Sequence, residues 1–166
     1  MPSKLQRSDY EDFLIRVYFG REDDPLLACR RRAYLDFNRT LHGARTHKDA
    51  RCRADKALTR MFVSLRDMHA PTQEQFDEWH RSACLELATI YNDGGYPSFF
   101  VGQAQKWLNM TFKYIYVLGD ERIPGFGHLY DLCHVPLDKV LIAAMRCYGS
   151  ISAMCVEPPG RLRYVS

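Results

Sequence analysis

Long apolar runs are missing from this chain: none approaches the roughly 20 residues that a membrane-spanning helix needs. The opening residues, MPSKLQRSDYEDF, lack the apolar centre of a signal peptide, so a cytoplasmic protein is expected. No C-x-x-C pair occurs, which removes zinc-ribbon and thioredoxin-type sites. Internal repeats, low-complexity tracts and convincing strand-type alternation are also missing. The six cysteines (Cys29, Cys52, Cys84, Cys133, Cys147 and Cys155) are scattered through helical patterns, and buried reduced thiols explain them better than disulfides.

What is present is a core. The 166 residues are 46% hydrophobic and 13% aromatic, which suits one folded domain and argues against disorder. Helix punctuation is plentiful. Ser8 with Glu11 reads as a capping box opening a helix that Gly20 closes. Asp24 and Pro25 open a second helix, expected to run to Gly43. Thr46 with Asp49 opens a third, whose Ala50, Ala54, Ala57, Leu58, Met61, Phe62 and Leu65 share one face. Pro71 and the Thr72–Gln75 box start a fourth that directs Phe76, Trp79, Ala83, Leu87 and Ile90 inward until NDGG breaks it. A fifth begins near Ser98, and a sixth runs from Pro136 toward Gly149. The fold class expected is all-α: a compact bundle of about six helices over residues 1–150, followed by a tail at 151–166. The stretch between helices five and six is long for a helix connection, which marks it as a candidate functional or mobile loop.

Charge is unevenly placed. Between Arg30 and Arg60, ten basic residues face three acids, a local excess of seven positive charges in a chain whose net charge is +3. Such a segment suits phosphate-rich partners, although a solvated helix face has the same composition. On the fifth helix, Gln105, Lys106, Asn109 and Lys113 form one polar line. An amphipathic helix with solvated lysines accounts for that line. Alternatively it faces a cleft, where desolvation would prime Lys106 as a nucleophile. Asp138 suits the start of helix six, where acids meet exposed amides, and the same place lets it project into a cleft. His128, Asp131, Cys133 and His134 are metal-ligand types without the spacing of a known zinc site, so neither a metal nor a cofactor is expected. The other histidines, His42, His47, His69 and His80, are assigned to helix ends or polar faces.

Two resemblances attach to these residues. GQAQKWLNMTFKY together with CHVPLD resembles a pattern in small bacterial proteins without an assigned function. The segments FFVGQAQK and HVPLD are also similar to the helix-hairpin-helix DNA glycosylases. In that family a lysine opens a helix after a glycine-containing hairpin and an aspartate starts the next helix. The likeness would make Lys106 the nucleophile at the sugar carbon and Asp138 its electrostatic partner, acting on a base flipped from the duplex. This chain departs from the family in having only Gly102 at the hairpin, a longer Lys106–Asp138 interval and no cysteine cluster for an iron–sulfur centre.

The function expected is nucleic-acid binding, with base processing as the extension that the resemblance implies. Arg53, Lys56, Arg60 and Lys113 would meet phosphates, Lys106 and Asp138 would do the chemistry, and Asn109 and His134 would line the cleft. The alternative is a non-enzymatic interaction module or homodimer. Its basis is the aromatic group Phe99, Phe100, Tyr114, Tyr116, Phe126 and Tyr130 around the long loop.

Overall fold

The structure, a computed structural model, describes residues 6–20, 23–42 and 47–135, with residue 143 besides. The expected sixth helix and the tail lie outside these residues, as does Asp138. Five α-helices are described: α1 (Arg7–Phe19), α2 (Pro25–Phe37), α3 (Lys48–Arg66), α4 (Gln73–Asp93) and α5 (Val101–Leu118). Two short 3-10 turns, Asn38–Thr40 and Gly127–Leu132, complete the regular structure, and there is no strand among the described residues. The protein is all-α. No described helix is long and apolar enough to cross a membrane.

Capping chemistry sets the helix starts. At α2, Asp24 Oδ1 accepts from the amides of Leu26 and Leu27 at 2.9 and 3.1 Å, and Pro25 occupies the first helical position. At α4, Thr72 and Gln75 exchange hydrogen bonds in a reciprocal box. The start of α1 corrects the expected Ser8–Glu11 box: Gln6 is the N-cap and Asp9 accepts from its amide at 2.7 Å. The second helix also ends earlier than expected, at Phe37, where the chain tightens into the 3-10 turn. At the far end of α4, Gly94 is required by contact. A Cβ there would lie 2.5 Å from the Ala50 side chain on α3.

The central helix is α5. It packs against α2 on one side and α4 on the other, α4 packs against α3, and α1 flanks α2. Trp107 anchors the middle, its ring against Tyr34 and Phe37 and its Nε1 donating to the Arg30 carbonyl at 3.1 Å. The third helix buries the seven residues expected of it. After α5 the chain folds back over the bundle and buries Ile123, Phe126 and Leu129. The long connection is thus a packed segment, not an open loop. Of the six aromatics grouped there, Phe99, Tyr114 and Phe126 belong to the core, while Phe100 and Tyr116 are exposed. Between α2 and α3 side chains make the join, with Arg30 of α2 bonding to Asp55 and Thr59 of α3.

Candidate functional site

The residues singled out from the sequence do not form one site. Arg53, Lys56 and Arg60 stand exposed on the outer flank of α3. Arg53 Nη2 already donates to the Ile90 carbonyl at 3.1 Å, and Arg60 is paired with Glu86. Lys113 is exposed on α5 with its Nζ 5.6 Å from the Tyr114 ring centre, and Lys106 is half-buried on the same helix. Asn109 corrects the picture of a wet line: it is buried, 8% exposed, because α4 packs over that turn of α5. His134 is half-buried beside α4. The structure brings Asn109 and His134 to a shared, buried neighbour, His80.

His80 is fully buried, which corrects its assignment to a polar face. A signal existed, since the spacing Phe76, His80, Ala83, Leu87 follows the buried stripe of a helix. Its Nε2 lies 2.8 Å from Asn109 Oδ1. An amide oxygen only accepts, so Nε2 carries the proton and Nδ1 is the bare nitrogen, 3.9 Å from Cys84 Sγ. Burial pushes His80 down to about 4; the Asn109 bond resists this and the charge of His134 adds to it. The His134 ring meets the His80 ring edge-on, with centroids 4.5 Å apart, and its Nε2 donates to Asp77 Oδ1 at 2.9 Å. Partial burial pushes the Asp77 carboxyl up, but hydrogen bonds from Gln73 and His134 outweigh it and hold Asp77 below its ordinary value.

Thiol, imidazole and amide in the order Cys84, His80, Asn109 follow the connectivity of a cysteine-hydrolase triad. Access decides otherwise. Cys84 and His80 are both 0% exposed, so no carbonyl carbon can approach the sulfur. The nearby Cys133 thiol bonds to the Leu129 carbonyl and is pushed by burial up to about 12. The cluster orients polar groups within the core.

The α2–α3 seam is different in kind. It holds a cleft of about 340 Å³ lined by Arg30, Arg31 and Tyr34 from α2, Lys48, Arg51, Cys52 and Asp55 from α3, and Trp107 from α5. Four cations meet one carboxylate. Arg30 is 3% exposed, and its Nη1 donates to the Asp55 carbonyl at 2.6 Å and to Thr59, with the Asp55 carboxylate at 3.3 Å. Its Nε has no hydrogen-bond partner. Burial draws the Arg30 guanidinium below its ordinary value, against the pull of Asp55 and Asp24. Arg51 sits over the Tyr34 ring, its guanidinium carbon 4.0 Å from the ring centre. Lys48 opens α3 after the N-cap His47, whose Nδ1 lies 3.1 Å from the Gly94 carbonyl. The composition of the Arg30–Arg60 segment pointed here, but it could not say which cations the fold would gather.

A second cleft, of about 640 Å³, lies among α1, α2 and the end of α5. It mixes Asp12 and Asp23 with Arg16 and Arg122, and the Asp12–Arg122 ion pair crosses it, so it shows no preference for one sign of charge. Lys106 lines neither cleft.

No protein-family model, no curated protein and no solved structure matches this chain. The functional reading therefore rests on geometry and charge.

Proposed function

We propose that the protein binds nucleic acid through the basic α2–α3 face. One observation carries this: Arg30, Arg31, Lys48 and Arg51 surround a cleft holding a single carboxylate, Asp55. Beside it on α3, exposed Lys56 stands one turn beyond Cys52, and Arg53 and Arg60 extend the positive flank. A strand of phosphates running along α3 meets cations at each turn, and release of its counterions drives association. Base processing by Lys106 with Asp138 is a separate step of this reading; release of a damaged base by wild type and its loss in Lys106→Ala would test it.

The test is a titration of fluorescent single- and double-stranded DNA at two salt concentrations. The expected result is binding that weakens steeply with salt, with a slope near −0.7 per phosphate contact on single strands and −0.9 on duplex. Lys48→Ala/Arg51→Ala should flatten that slope. Absence of binding at low salt would sink the reading.

A second reading, self-association, has its own observation. Tyr10, Phe13, Leu14 and Val17 form a stripe at helical spacing on α1, all exposed, on a helix that buries no residue fully. Light scattering after size exclusion distinguishes the two: a dimer converted to monomer by Leu14→Glu/Val17→Glu supports it, and a monomeric wild type removes it.

A further inference from the structure

We infer that two copies of this chain meet through α1 in antiparallel fashion, Asp9 of each lying beside Arg16 of the other. This rests on the self-association reading above and specifies its geometry. The first observation is that α1 is apolar on two opposite faces. Ile15 and Phe19 pack on the core, and the Asp12–Arg122 pair ties the same side of the helix to the chain beyond α5. At about 100° per residue, Tyr10, Phe13, Leu14 and Val17 centre on the far side. They are 55 to 66% exposed. A helix that only flanks a bundle needs one apolar face, and its outer face is ordinarily polar.

The second observation is how the outer stripe is bordered. One edge carries Asp9 and Arg16, both exposed. The other carries Arg7 and Glu11, which are paired with each other at 2.8 Å. A twofold axis crossing the stripe near Phe13 and Leu14 turns each edge onto the same edge of the second copy. Tyr10 then meets Val17, Phe13 meets Leu14, and Asp9 from one end comes beside Arg16 from the other. One such ion pair forms on each side of the axis. Parallel pairing faces unlike edges instead. It sets Asp9 between Arg7 and Glu11 and leaves Arg16 no acid to meet. The edge charges therefore complement a second copy turned end for end. A single helix pair lies at the small end of specific interfaces, below about 1,200 Å², so association belongs at roughly 10–100 μM chain.

The experiment follows the mass of the full chain by light scattering across that concentration range. Wild type is expected to dimerise, and Leu14→Glu/Val17→Glu to be monomeric. Asp9→Lys sets cation against cation and Arg16→Glu sets acid against acid, so each alone should associate about tenfold more weakly. Mixing the two variants brings opposite charges together at both pairs, and the mixture should regain wild-type affinity. Asp9 also accepts from the Gln6 amide at 2.7 Å, so its replacement can loosen the helix start. Arg16→Glu against Arg16→Lys leaves that bond untouched and tests the pairing separately: the lysine variant should associate as wild type does. A wild-type dimer that the stripe variant breaks but Arg16→Glu does not weaken overturns the antiparallel pairing and leaves self-association standing. Failure of the mixture to regain affinity, with circular dichroism unchanged in both variants, does the same. A monomeric wild type, or a dimer that the stripe variant leaves intact, overturns both.

Discussion

Two seams of one bundle treat polar groups in opposite ways. Between α4 and α5 a chain of hydrogen bonds links Asp77 to His134 and His80 to Asn109, the two imidazoles touching edge to face, with Cys84 behind. Between α2 and α3 Arg30 is buried too, held by Asp55 and Thr59, and exposed cations beside it line an open cleft. The first seam contains the large histidine shift and every ingredient of a nucleophilic triad, but His80, Cys84 and Asn109 are buried. The second holds ordinary surface cations around one incompletely bonded arginine. The perturbed titration here reports burial.

The sharpest way to break the contrast is His80→Ala. If the α4–α5 chain serves only the core, this variant loses about 2–4 kcal/mol of stability, from the cavity and the stranded Asn109, as read by urea unfolding. Its folded fraction should bind DNA as wild type does. Loss of binding in a variant that remains stable would move function to that seam.

Next in size is the effect of acid. Unfolded His80 takes up a proton near 6.5 and folded His80 only near 4, so the unfolded state binds more protons between those values. The stability this group contributes is complete above about pH 6.5 and falls by about 3 kcal/mol as pH drops toward 4. Asp77, held below its ordinary value, adds loss in the same direction at still lower pH. Denaturant midpoints measured across this range should fall on acidification, and His80→Gln should flatten the curve.

The open seam should respond in binding and scarcely in stability. Arg31→Ala/Lys48→Ala/Arg51→Ala should weaken oligonucleotide binding about ten- to a hundredfold at low salt, with a salt slope shallower by about 2 on single strands. Its unfolding midpoint should move little, the lost Arg51–Tyr34 stacking being worth about 0.5–1 kcal/mol. The smallest effect belongs to Arg53→Ala/Lys56→Ala/Arg60→Ala. Arg53 and Arg60 are already tied to the Ile90 carbonyl and Glu86, so binding should fall only a few-fold, with the slope changed by about 1. A larger loss there than in the cleft triple would relocate the interface to the outer flank of α3.

Local chemistry by itself determined the helices. Asp24 with Pro25, and Thr72 with Gln75, mark starts because an orphan amide finds its acceptor within three residues. The apolar stripe of α3 was readable to the residue because seven positions on a 3.6-residue period admit one buried face. The +7 segment was legible as composition too. Which face of α5 meets α4, and so whether Asn109 is wet or enclosed, depended on a partner helix that no local pattern specifies. The fate of His80 was settled the same way, by Asn109 arriving from α5 and His134 from the segment after the second 3-10 turn. The gathering of Arg30 and Arg31 with Lys48 and Arg51 is likewise tertiary, because α2 and α3 are joined there by side chains across a gap. Sequence fixes what a residue does within its own turn of helix. The long-range packing of helices decides which polar groups are closed in and which are left facing a space.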